Sequence, residues 1–195
     1  MTVGLQPFSL QRMVDAVEKV RQRLLRAAAA LRQGGVPYAI AGGNAVALWV
    51  SRGDEAAVRN TQDVDVLIRR VDFSKAKAAL ESAGFVYRHV GGRDVFLDGP
   101  QGKPRDAVHI VFAGEQVRAG EPAVNPDVAN SEETDQFTVL SLAALVQIKL
   151  TAYRDKDRTH LRDMIDVGLI NATWLDNLPP ALASRLKELL DNPGG

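Results

Sequence analysis

Apolar residues recur at three- and four-residue spacing through Leu10, Met13, Val14, Val17, Leu24, Leu25, Ala28 and Leu31, opposite Asp15, Glu18, Arg21, Arg23 and Arg32. That period predicts a helix over 10–33, capped by Ser9 and stopped by Gly34-Gly35, with one stripe on the core and the arginines in solvent. An apolar run over 37–41 then predicts a strand, and Gly42-Gly43 a bend. Asn44 is placed to cap a short helix over 45–50 with Leu48 and Trp49 inward. The polar stretch 51–62 reads as loop. A strand over 63–69 follows, then a helix over 73–83 between a capping Asp72 and Gly84. Strands over 85–90 and 95–97 flank Gly91-Gly92, and a loop over 99–104 leads to a strand over 106–113. The stretch 120–135 reads as linker or wrapping loop. Beyond it the period is helical again, over 142–153 behind Ser141, over 158–167 behind Asp157, and from Pro179-Pro180 to about 190.

Composition narrows the class. With 195 residues, 46% hydrophobic and 25% charged, the chain suits one compact soluble unit. Its expected parts are an N-terminal helix (1–35), an α/β core (36–115) and a linker with C-terminal helices (116–195). Lys+Arg and Asp+Glu stand at 24 each, so no global basic field announces a nucleic-acid partner. Arg88, Arg93, Lys103 and Arg105 can still form a local patch around the glycine-rich hairpin. The absence of cysteine excludes a disulfide framework and a thiolate metal site, and fits a cytoplasmic location. No apolar run is long enough to span a membrane, and Met1–Ser9 lacks the pattern of a signal peptide.

The candidate chemistry lies between Tyr38 and Ile68. A strand runs into a double glycine, and a second strand carries Asp63 and Asp65 within an otherwise apolar run. Residues i and i+2 of a strand share a face, so the two carboxylates stand side by side and disfavour each other's ionisation. A divalent cation with oxygen ligands relieves that penalty, and Mg²⁺ typically takes one or two protein carboxylates plus phosphate oxygens. Glycine lets backbone approach a ligand closely, and free N–H groups before a helix hold phosphate. Each piece alone is commonly a turn or a solvated strand end; in this order they point to phosphoryl or nucleotidyl transfer.

Ile40-Ala41-Gly42-Gly43 and Asp63-Val64-Asp65-Val66 resemble the signature of the DNA polymerase β-like nucleotidyltransferase superfamily. Arg59, Thr61 and Asp63 match the Arg-x-Ser/Thr-x-Asp segment of its AbiEii-like toxin subgroup. The resemblance covers about 36–165 and implies an α+β nucleotidyltransferase fold, a mixed β-sheet flanked by helices with a C-terminal helical segment. It implies a nucleoside triphosphate as substrate and Mg²⁺ or Mn²⁺ as cofactor. Gly42, Gly43, Asn44 and Thr61 would serve the phosphates, and Asp63 and Asp65 would hold metal. Nucleoside monophosphate would pass to an acceptor hydroxyl on a small molecule, RNA or protein. An antitoxin or a second copy of the chain is the expected protein partner, and no membrane is expected.

The resemblance also exposes a departure. Superfamily members carry a third metal-binding acid on a later strand, and here that slot holds His109. His109 has three readings: a metal ligand, a general base, or the mark of a degenerate site that binds nucleotide without turnover. Asp106 is three residues away and faces the other side of a regular strand. Downstream, Lys149 sits in an apolar helical run, where an unpaired ammonium is costly. A phosphate or an aspartate would satisfy it, with Asp157 and Asp163 as ion-pair candidates beside Arg154 and Lys156. A nucleotide- or partner-binding module is the alternative function. A phosphohydrolase built on Asp-x-Asp is weaker, because a glycine-bearing strand and helix precede the pair.

Overall fold

The protein is described from a computed structural model covering residues 9–193. The segment expected to lack a signal peptide lies, apart from Ser9, outside the described residues. Helix α1 (Leu10–Gln33) leads to strand β1 (Tyr38–Ala41), helix α2 (Gly42–Ser51) and strand β2 (Val64–Ile68). Helix α3 (Phe73–Ser82) precedes the hairpin of β3 (Val86–Val90) and β4 (Arg93–Leu97), and β5 (Val108–Phe112) follows. Short strands β6 (Ser131–Glu133) and β7 (Thr138–Leu140) come before α4 (Leu142–Ala152), α5 (Asp155–Asp166) and α6 (Pro180–Asp191). The strands form one mixed sheet ordered β3-β4-β5-β2-β1-β7-β6. β2 runs antiparallel to β1 and parallel to β5, and β1 runs parallel to β7.

Burial on both faces makes the central strands apolar runs rather than alternating ones. Tyr38–Ala41 is buried throughout, and in β2 only Asp65 is not fully buried. Phe73 of α3 meets Tyr87 and Phe112 edge to face and lies tilted on Phe96. Phe96 pairs in register with Val108, the neighbour of His109, so α3 and the α1 packed beside it cover the face opposite Asp65. Helices α2, α4, α5 and α6 pack among themselves on the other side. Leu31, Ile40, Leu67, Leu145 and Leu161 are fully buried, each worth about 1.5–3 kcal/mol relative to exposure. Trp49 is also core, and its indole N–H donates to the Leu140 carbonyl at 3.0 Å. Among the described residues no helix is long and apolar enough to cross a membrane.

Several local expectations change. The buried residues of α1 lie between Arg23 and Leu31, with Val20 packed at their edge, while Leu10, Met13, Val14 and Val17 stand exposed. Arg23 is buried rather than solvated, donating to Asp98 Oδ2 at 3.2 Å and to the Gln62 carbonyl at 3.0 Å. Helix α2 starts at Gly42 rather than after Asn44, with Ala41 at its cap. Helix α5 starts at Asp155, so Asp157 lies inside its first turn, where its carboxylate accepts from the Arg154 N–H. Strand β6 lies in the segment expected to be linker, and with β7 just beyond that segment it extends the sheet past β1.

Candidate active site

The register of β2 assembles the centre of the site. Asp65 pairs with Ala41 on one side and with His109 on the other, so the residue before the double glycine, the second aspartate and the histidine share a face. Asp63 stands just before β2. It is held by the Asn44 amide, which donates to the Asp63 carbonyl at 2.8 Å, and by the Thr61 hydroxyl, which donates to Asp63 Oδ1 at 2.8 Å. The structure therefore gives Asn44 and Thr61 contacts to Asp63 itself.

Gly42 makes room for the second carboxylate. Its φ is +63°, and a Cβ built there would lie 1.8 Å from Asp65 Oδ2. One at Gly43 would lie 2.8 Å from Thr61 Oγ1. Two glycines at the start of α2 thus admit the Asp65 carboxylate and the Thr61 side chain against bare backbone. The cap residue, Ala41, offers α2 no side-chain hydrogen bond, and free N–H groups at a helix start are the arrangement that binds anions.

The two carboxyls differ in protonation tendency. Burial pushes Asp65 above the usual carboxylate range, and the neighbouring Asp63 charge adds to that. Burial also acts on Asp63, but the Thr61 hydrogen bond and the Lys156 charge outweigh it and hold Asp63 low. Lys156 Nζ lies 3.4 Å from Asp63 Oδ1. One ligand atom each from Asp63, Asp65 and His109 lies within 4.8 Å of the other two. Two carboxylate oxygens and a ring nitrogen at this spacing fit a divalent cation.

A cavity of about 300 Å³ opens from this corner toward α4 and α5, with Gly42, Asp65, His109, Lys149 and Arg154 in its wall. Gly43, Asn44, Thr61 and Asp63 fall outside that wall. Between α4 and α5 the chain turns through Tyr153 in the left-handed region, φ 47°, which folds α5 back on α4. Lys149 Nζ thereby meets Asp157 Oδ1 at 3.0 Å, and Arg154 Nε meets Asp157 Oδ2 at 2.7 Å. Burial raises Asp157, but the bond from Arg154 and the charge of Lys149 hold it below the usual range. Asp163 pairs instead with Arg59 Nε, at 2.7 Å. The aspartate alternative thus satisfies Lys149, while its place in the wall keeps the ammonium near any anion in the cavity.

Two residues gain weight that the sequence did not give them. Lys156 faces Asp63 although it lies 93 positions away; its only sequence signal was its place in the Lys149–Asp157 cluster. His160 is buried beside that cluster, and among the described residues its Nδ1 has no hydrogen-bond partner. Desolvation, followed by the Lys149 and Lys156 charges, lowers its pKa to about 4.

Comparison with known proteins bears on this geometry. The sequence model of the family described as "Nucleotidyl transferase AbiEii toxin, Type IV TA system" matches residues 23–195. The fold is similar to an antigenic nucleotidyltransferase-like protein from Paracoccidioides brasiliensis, with TM-score 0.59 and 20% identity, covering 90% of this chain and 89% of that one. It is also similar to ANT(2'')-Ia in complex with adenylyl-2''-tobramycin, with TM-score 0.52 and 15% identity, covering 91% of this chain and 98% of that one. At such identities the likeness is one of fold. No curated protein matches the chain.

Proposed function

The chain belongs to the nucleotidyl transferase AbiEii toxin family, and from that premise we propose that it transfers a nucleoside monophosphate from a nucleoside triphosphate to an acceptor hydroxyl. The observation carrying this reading is the convergence of Asp63, Asp65 and His109 donors within 4.8 Å beside the Gly42 bend. The acceptor hydroxyl releases its proton to solvent as its oxygen attacks the α-phosphorus, the bond to the oxygen bridging to the β-phosphate breaks, and pyrophosphate leaves. Asp63 and Asp65 would hold a divalent cation, Mg²⁺ or Mn²⁺, which would supply charge neutralisation and lower the pKa of the attacking hydroxyl.

The chain's own residues hold and orient. Backbone N–H groups at Gly42 and Gly43 receive the outer phosphates at the α2 N-terminus, and Asn44 and Thr61 fix Asp63 beside them. Asp63 and Asp65 provide the oxygen ligands, and Lys149 contributes positive charge from the cavity wall. Membership in a toxin family of type IV toxin–antitoxin systems supports an antitoxin as functional partner. The acceptor is a hydroxyl compound small enough, or with an end narrow enough, to enter a cavity of about 300 Å³. That is compatible with a small molecule, an RNA terminus or a protein side chain.

A second reading is a nucleotide-binding module without turnover, favoured by the imidazole in the third-acid slot and by Lys156 resting 3.4 Å from Asp63. Mass-resolved NTP consumption and self-modification with Mg²⁺ or Mn²⁺ separate the two. Transfer activity is expected in the wild type and not in Asp63→Ala. Nucleotide-induced thermal stabilisation without product selects the binding module. Absence of both overturns the nucleotide reading.

A further inference from the structure

We infer that His109 is a metal ligand through Nδ1, and that it biases the site toward Mn²⁺, an imidazole-tolerant ion, over Mg²⁺. The inference rests on the nucleotidyl-transfer reading for the presence of a cation. It goes beyond that reading in assigning the third ligand, its atom and the preferred metal.

The first observation is the hydrogen bond on the far side of the ring. His109 Nε2 lies 2.8 Å from the Pro104 carbonyl oxygen. A carbonyl can only accept, so Nε2 carries the proton, and in the neutral ring Nδ1 keeps its lone pair. Pro104 opens the short turn Pro104–Asp106 just ahead of β5, so backbone fixes both the tautomer and the ring orientation. Ligating histidines are typically held this way, the other ring nitrogen donating to a carbonyl or carboxylate.

The second observation is what Nδ1 faces. It lies 3.9 Å from Asp63 Oδ2 and 3.8 Å from Asp65 Oδ1, too far for hydrogen bonds to either. Two ligands of one ion can stand no farther apart than twice the bond length, about 4.2 Å for bonds of about 2.1 Å. Both separations fall inside that limit, so one ion fits between the ring nitrogen and either carboxylate oxygen. Here Nδ1 has a carboxylate oxygen of each aspartate within 4 Å.

The third consideration is ligand chemistry. Mg²⁺ prefers an all-oxygen shell, whereas ring nitrogen suits Mn²⁺ and the later first-row ions. Replacing an acid by imidazole also removes one negative charge from the site, which weakens the hold on the harder ion more.

The test is electron spin-echo spectroscopy of Mn²⁺ bound to the full chain, alone and with α,β-methylene ATP, using protein with natural and nitrogen-15 histidine. The expected result is an imidazole nitrogen coupling that changes with the isotope and disappears in His109→Ala. Mn²⁺ affinity by calorimetry should fall by at least the roughly 10- to 100-fold that loss of an outer-shell partner costs, and His109→Asp should move the preference toward Mg²⁺. Bound Mn²⁺ without histidine coupling overturns the inference and leaves the nucleotidyl-transfer reading standing. No Mn²⁺ binding in the wild type, with or without the nucleotide analogue, overturns both. Circular dichroism melts check the variants, and if neither folds, the coupling is read in His89→Gln/His160→Gln, where His109 is the one histidine left in the sequence; its absence there overturns the inference.

Discussion

Replacing Gly42 by alanine tests whether the bend was built around Asp65. At φ +63° an L-residue costs about 1–2 kcal/mol in left-handed backbone. The new methyl would stand 1.8 Å from Asp65 Oδ2, 2.6 Å from its Cγ and 2.8 Å from its Cβ. Rotating the carboxylate relieves the first contact but not the last, so α2 or β2 must shift, an overpacking penalty of about 1–3 kcal/mol. The sum, about 2–5 kcal/mol, is a large share of the 5–15 kcal/mol typical of a folded domain. Gly84→Ala is the control. It also has positive φ, +86°, but nothing within 4 Å of its added Cβ, so about 1–2 kcal/mol is expected. Urea unfolding should show both as midpoint shifts at unchanged slope, the Gly42 shift being the larger. Combining Gly42→Ala with Asp65→Ala should recover part of the loss, a coupling of about 0.5–3 kcal/mol. If Gly42→Ala proves no worse than Gly84→Ala, or if removing the carboxylate recovers nothing, Asp65 is not seated on Gly42 and the geometry of the site is wrong.

Other expectations follow from the α4–α5 elbow. Asp157→Ala strips the partner from buried Lys149 and should cost about 3–5 kcal/mol in urea unfolding. Lys149→Met should cost less, since Asp157 keeps its bond to Arg154 at 2.7 Å; equal losses would contradict a shared carboxylate. His160 makes stability depend on pH. Its folded pKa of about 4 lies below the ordinary 6.5, so between these values the unfolded chain binds the proton and the folded one does not. Stability is therefore full above about pH 6.5 and is lost as pH falls toward 4, by about 3 kcal/mol for this group. His160→Gln should flatten that part of the wild-type curve, and parallel curves would refute the assignment.

The sequence carried much of this fold because local rules and tertiary needs agree along most of the chain. Helix α1 has the bounds its period predicts, and Ser141 caps α4 by accepting from the Ala144 N–H. The Asp63–Asp65 spacing and the double glycine were legible as chemistry because few other structural needs place one carboxylate in a buried strand and another at its start, beside a bend. Strands β6 and β7 were not legible. Each has three residues, Ser131-Glu132-Glu133 has no apolar alternation, and β7 joins β1 through the single pair Ile40 and Val139. Partners distant in sequence were equally hidden. Periodicity put Arg23 on the polar side of α1, and no pattern could announce that Asp98 and the Gln62 carbonyl would meet it there. Nor could spacing reveal that α5 brings Lys156 to Asp63, or that the Pro104 carbonyl sets the His109 proton.

The grip of Arg23 on Gln62 means that the reacting corner is braced from behind. Gln62 is the residue before Asp63, so a helix whose body packs on the opposite face of the sheet sets where the first carboxylate emerges. Asp65 is clamped between two neighbouring strands, whereas Asp63, just outside β2, owes its place to Asn44, Thr61 and this brace. Damage to Arg23 would accordingly look, in a screen, like a catalytic defect in a protein that still folds.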